Sequence, residues 1–264
     1  MRKLGINFGA VREMEPEVYI KTIAELGFKT SFFGGIIDLE EQDRITNLMA
    51  KYGIECENIH SPFGHINDIW LDTEGGEQML KELLQSVDQC AHGGIPIDVI
   101  HMSSGNTPPP ITDIGRARYE TLVDYAMKKN VKIAFENLRK TANLTWAMET
   151  FDNDMVGFCW DCGHEACYQN GREFMPWYGE RLICTHIHDN NGEKDADYHW
   201  LPFDGVVNFE RFAKHIQNSG YQGPLTLEVT KFAPFTSYQE MTDEEYLIKC
   251  ADVIKKIAKM VEGE

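Results

Sequence analysis

The feature that most restricts the fold is an alternation repeated along the chain: a short apolar or alternating run, then a stretch with helical spacing. The runs are LGINF (4–8), KTSFF (29–33), ECENIH (55–60), DVIHM (98–102), KIAFEN (132–137), VGFCWD (156–161), ICTHIH (183–188) and LTLEV (225–229), eight in all. Between them Leu80, Leu83, Leu84 and Val87, then Leu122, Val123, Ala126 and Met127, and finally Leu247, Ala251, Ile254, Ala258 and Val261 recur at the steps of one helix face. Several helical stretches stop at Gly or Asn just before the next run, as in ELGF, KYGI and KKNV. Alternation of this kind implies a parallel sheet with right-handed crossovers. Eight units in 264 residues predict a closed (β/α)8 TIM barrel, a single domain over residues 1–264 without a linker or composition shift. An open doubly wound sheet would carry a Gly-rich phosphate turn after an early strand, and FFGGII lacks that fingerprint.

A barrel concentrates chemistry where its strands end. His60 closes the third run, His101 nearly closes the fourth, Glu136 the fifth, Asp161 the sixth, His188 the seventh, and Glu228 nearly closes the eighth. Period-two alternation gives the direction: with Glu136, His188 and Glu228 facing inward, Ile133, Phe135, Ile187, Leu225 and Leu227 face the helices, as apolar residues should. Carboxylates and imidazoles therefore converge on one mouth. Unpaired, such a buried cluster is opposed by both desolvation and like-charge repulsion, and a divalent cation removes that cost. His186, two residues before His188, is expected one layer deeper, behind the ligands. Carboxylate with imidazole suits Zn2+ or Mn2+, and no Cys is expected at the mouth.

The formal net charge of −17 is spread over the chain with no basic stripe, which argues against a nucleic-acid partner. No 18-residue apolar run occurs, so no membrane span is expected, and MRKLGINFGAVRE turns polar too early for a signal peptide; a cytoplasmic protein is the expectation. Seven cysteines without framework spacing fit reduced, buried thiols. On a strand, CWDC turns Cys159 and Cys162 to opposite faces, so they are not expected to act as a pair.

IHSPFGHIN, VIHMSSGN, IAFEN, GFCWDCGH, THIHDNNG, DYHWLPFDG and LTLEV, in this order, resemble the motifs of the xylose-isomerase-like TIM barrel superfamily, which holds sugar isomerases and epimerases, inosose dehydratases and endonuclease-IV-like AP endonucleases. The resemblance implies shared metal ligands at Glu136, Asp161, His188 and Glu228. It implies a substrate contact, or a ligand of a second metal, at His164. His60, His101, Asp197 and His199 match the remaining ligand positions of the trinuclear zinc nucleases, and many sugar-active members keep such histidines. The ketose 3-epimerases carry Glu six residues after the first metal Glu and Arg six after the metal His; this chain has Ala142 and Lys194.

The expected activity is a metal-dependent isomerase or epimerase acting on a sugar, sugar phosphate or polyol, with proton transfer beside a carbonyl and a metal-stabilised enolate. Glu136 and Glu228 would act as base and acid. His60, His101, His164, Lys194, Asp197 and His199 would bind substrate. The long loop from Asp189 to Gly205 would cover it, with Trp177, Trp200 and Phe203 as candidate stacking surfaces. NTPPPI (106–111) reads as a stiff turn without chemistry. The alternatives are an AP endonuclease with a multinuclear zinc site and a non-catalytic sugar-binding barrel. By resemblance, a homodimer is possible.

Overall fold

A computed structural model describes residues 2–169 and 171–263. Eight strands, β1 (Leu4–Asn7), β2 (Thr30–Gly34), β3 (Glu55–His60), β4 (Ile97–Ile100), β5 (Lys132–Glu136), β6 (Val156–Asp161), β7 (Leu182–His186) and β8 (Leu225–Leu227), run parallel in the order β7-β6-β5-β4-β3-β2-β1-β8. A parallel bridge between Ile187 and Leu227 closes the barrel, with Ile187 N–H donating to Thr226 O at 2.9 Å and Glu228 N–H to Ile187 O at 3.1 Å. The helices are α1 (Pro16–Glu25), α2 (Leu39–Lys51), α3 (Glu74–Gly93), α4 (Asp113–Lys129), α5 (Thr141–Thr150), α6 (Cys162–Tyr168), α7 (Met175–Tyr178), α8 (Phe209–Ser219) and α9 (Asp243–Glu262). Among the described residues no helix is long and apolar enough to cross a membrane.

Local chemistry sets these boundaries. Thr73, Thr112 and Thr242 accept from the third backbone N–H of α3, α4 and α9, and Glu245 completes a capping box at α9. Asn130, at the end of α4, and Gly94, at the end of α3, take left-handed φ of 58° and 62°. The eighth strand is shorter than the run 225–229 because the Asn7 side chain takes the Val229 N–H at 3.0 Å, ending the ladder.

Two apolar layers follow from the alternation. Ile133, Phe135, Phe158, Trp160, Ile187, Leu225 and Leu227 face outward into the large core shared with the helices. There Trp160 stacks on Phe212 of α8, centroids 4.7 Å apart. Val99, Ala134, Cys159 and Cys184 form a small separate cluster inside the barrel. Cys162 belongs to the outer layer, so the CWDC thiols do diverge, and all seven cysteines are free. The inner cluster is the floor on which polar residues at the strand ends stand.

Candidate metal centre

His60 ends β3, Glu136 ends β5, Asp161 ends β6 and His186 ends β7, while His101 and Glu228 each follow the last residue of a strand. His188 lies two residues beyond β7, on the same inward parity as His186 because Ile187 turns outward. His164 comes from the first turn of α6, whose N-cap is Asp161: its Oδ1 accepts the His164 N–H at 2.6 Å. One carboxylate thus starts a helix and faces the mouth.

Glu136 is the hub. Its Oε2 lies 2.9 Å from His101 Nε2 and 3.3 Å from His60 Nε2, and its Oε1 lies 3.1 Å from His164 Nδ1 and 3.4 Å from His186 Nδ1. Donor atoms of Glu136, Asp161, His186 and Glu228 lie within 4.8 Å of one another, as do those of His60, His101 and Glu136, and those of His164, His188, Asp197 and His199. The first group differs from the expected quartet at one position: His186 occupies it, 3.2 Å from Glu228 Oε2. His188 sits in the neighbouring group, its Nε2 3.0 Å from Asp161 Oδ1 and 3.6 Å from Asp197 Oδ1. The physical reason is depth: both histidines face inward, and the lower one meets the carboxylates of β5 and β8.

The substrate-side expectations divide. His60, His101, His164, Asp197, His199 and Glu228 line one pocket of about 200 Å3, together with Phe63, Ser103, Ser104, Arg139 and Tyr168. Lys194 is exposed in the loop and does not line it. The cation that does is Arg139, which the sequence reading missed; it pairs with Asp195 Oδ1 at 2.8 Å and lies 3.7 Å over the Tyr168 ring. No sequence signal marks it, because its direction is set by Asp195 and Tyr168, both far along the chain. Trp177 is 78% exposed on α7, Phe203 packs on Phe209 beneath the Lys256 amine, and Trp200 donates to Pro234 O, so none of these three lines the pocket.

Electrostatics in the cluster are dominated by carboxylate–imidazole pairs. Burial raises the pKa of Glu136, but His101 and His186 outweigh it and hold the group well below the usual carboxylate range. Burial likewise opposes a charge on His199, yet Asp197 pushes its pKa up to about 10. His164 is raised well above its ordinary value, burial being overcome by Asp161 and Asp197. Protons on imidazoles here balance the acids. Several donors nevertheless fail to meet as hydrogen bonds: His164 Nδ1, His186 Nε2 and Asp197 Oδ1 are buried with no hydrogen-bond partner among the described residues. Inward-facing oxygen and nitrogen donors without a partner fit a divalent cation that displaces the protons on the imidazoles.

The loop after β7 that carries Asp197 and His199 is tied down. The buried Asp189 carboxylate accepts four backbone N–H groups, Asn190 and Val207 on Oδ1 at 2.9 Å each, Phe203 on Oδ2 at 3.1 Å and Gly205 on Oδ2 at 3.0 Å. His199 takes φ of 51° and places Nδ1 2.8 Å from Glu228 O.

Fold and site together define a TIM barrel with an acid–imidazole cluster at the carboxyl ends of its strands. The profile of the family described as xylose isomerase-like TIM barrel matches residues 20–257, and the chain belongs to that family. The chain is 28% identical over 247 residues to the uncharacterized protein y4fM of Sinorhizobium fredii, covering 81% of this chain and 77% of that one. A D-tagatose 3-epimerase-like protein superposes with a TM-score of 0.80 at 18% identity, covering 99% and 98% of the two chains. The IOLI protein, solved with a zinc atom bound, superposes with a TM-score of 0.80 at 16% identity, covering 97% and 98%.

Proposed function

We propose that the chain is a metal-dependent isomerase or epimerase acting on a sugar, sugar phosphate or related polyol. The observation that carries this reading is the division of labour between two carboxylates in one donor group: Glu228 lines the pocket, whereas Glu136 is enclosed by four imidazoles. Glu136, Asp161, His186 and Glu228 would hold the cation, which when bound supplies Lewis acidity toward a substrate carbonyl and its neighbouring hydroxyl.

Glu228 is the group positioned to take a proton from the carbon beside the carbonyl, since it alone of the two borders the space a substrate enters. Glu136 stays ionised as a ligand and orients His101 at 2.9 Å, which presents its ring to the pocket. His60, His164, Ser103 and Tyr168 offer hydrogen bonds to hydroxyls, and Arg139 offers a cation at the rim. A D-tagatose 3-epimerase-like structural neighbour agrees with this substrate class. In heavy water the protein should incorporate deuterium at the carbon beside the carbonyl of a ketose. Glu228→Gln should slow that exchange by roughly 100- to 10,000-fold with the fold retained. Full turnover in the variant would remove Glu228 from the reaction.

A second reading, hydrolysis of a phosphoester at a multinuclear site, is favoured by one observation: the three donor groups adjoin, with Glu136 common to two of them. Nearly three zinc ions per chain together with cleavage of a duplex containing an abasic site would put this reading first. The net charge of −17 weighs against a nucleic-acid substrate.

A further inference from the structure

We infer that Cys159, Cys184 and His186 form a separate site for a thiophilic cation of the Zn2+ class, one layer below the acid–imidazole cluster. Cys159 on β6 and Cys184 on β7 are register partners, and both turn into the barrel, where they pack with Val99 and Ala134 apart from the main core. His186 follows Cys184 by two residues and shares its inward parity. One donor atom from each of the three lies within 4.8 Å of the others, and all three residues are buried, at 0%, 3% and 0% exposure. Two sulfurs and an imidazole are a donor set for zinc or monovalent copper and a poor one for Mg2+ or Mn2+.

An independent observation points to a ligand. The His186 Nδ1 faces Glu136 and Glu228 at 3.4 Å and 3.2 Å, while its Nε2 is buried with no hydrogen-bond partner among the described residues. A buried imidazole nitrogen without a partner is costly, and a cation beside the thiols relieves that cost. Asn58 supplies a further donor: its Nδ2 lies 3.6 Å from Cys184 Sγ and its Oδ1 is likewise buried and unpartnered. Turning the amide over would present that oxygen toward the sulfur. The route in is from the opposite end of the barrel to the candidate active site, where Cys184, Asn58, Glu57, Thr30 and Tyr221 line a cavity of about 1190 Å3. On binding, each thiol passes its proton to solvent and its thiolate takes a coordination position on the ion. The His186 ring gives up its own proton to solvent and, where the upper cation is also held, its second, bridging the two ions with Nδ1 above and Nε2 below.

The test uses the full chain, stripped of metal and then loaded with Co2+ under reducing, oxygen-free conditions. The upper groups contain no sulfur, so a sulfur-to-cobalt charge-transfer band in the near ultraviolet reports the lower site alone. The expected result is that band in the unaltered protein, its loss in Cys159→Ser and in Cys184→Ser, and one metal equivalent fewer per chain in each. Cobalt binding with no such band, or a band that survives in both variants, overturns the inference. Should the variants fail to fold, X-ray absorption at the zinc edge of the unaltered protein decides. Sulfur scatterers at about 2.3 Å support the site, and a shell of oxygen and nitrogen alone sinks it. Neither readout depends on sugar turnover, so failure here and failure of the isomerase reading are distinguishable.

Discussion

At the scale of the residue, Gly163 is fixed by its neighbour. A Cβ added there would overlap the His188 ring, so the first turn of α6 can pass His188 only without a side chain. Gly163→Ala should therefore push His188 away from Asp161, which it meets at 3.0 Å, and weaken cation binding in the central group of Glu136, Asp161, His186 and Glu228 by roughly tenfold or more. Competition against a zinc-sensitive dye would measure this, and unchanged affinity would show that His188 is not needed there. The same region marks the reach of sequence reasoning. Strand parity is enough to turn Glu136, Glu228 and both histidines of ICTHIH inward, because a slip of one residue would put acids into the helix-facing core. Parity cannot tell His186 from His188, which share it. That choice is made by depth, which depends on where β7 stops pairing. Arg139 was illegible for a related reason: a loop cation's direction is set by its partners, here Asp195 and Tyr168, distant in sequence.

At the scale of the element, the segment from Asp189 to Gly205 was expected as a cover over substrate, and its length and polarity were readable. Its tether was not. A single buried carboxylate gathers four N–H groups from both ends of the segment, which gives a braced loop that holds Asp197 and His199 in place. Asp189→Asn replaces two carboxylate acceptors by one amide oxygen and aims donors at donors. The expected cost is roughly 1 to 3 kcal/mol by urea unfolding, with metal binding weakened because the loosened loop no longer holds His199 against the Glu228 carbonyl. A variant as stable as the parent, with metal affinity intact, would show that the loop is ordered by other contacts.

At the scale of the molecule, the eightfold alternation was sufficient to give the barrel, since no other common architecture accommodates eight consecutive parallel crossovers in a chain of this length. The closing contact, one bridge between Ile187 and Leu227, is a tertiary event with no local signature. Closure brings Glu228, on the last strand, against His186, on the seventh, and completes the central donor group. The charge balance then predicts a coupling between metal and pH. Without a cation the acids are balanced by protons held on His164 and on His199, the latter with a pKa near 10, so these protons are bound at neutral pH. His186, whose pKa is also raised well above the ordinary imidazole value, burial being overcome by Cys159, Glu228 and Glu136, must give up its proton to hold a metal in the central group. The added positive charge loosens the protons on His164 and His199, so affinity should rise with pH. Calorimetry of zinc binding at pH 7 in buffers of different ionisation enthalpy should register proton release. Equal heats in all buffers would contradict the assignment.

The most direct test of the shared-cation claim is anomalous diffraction from crystals of the zinc- or manganese-loaded protein, collected at the absorption edge of the metal. An anomalous peak bounded by Glu136, Asp161, His186 and Glu228 is the predicted result. Metal-loaded crystals with these side chains in place and no peak among them would contradict it.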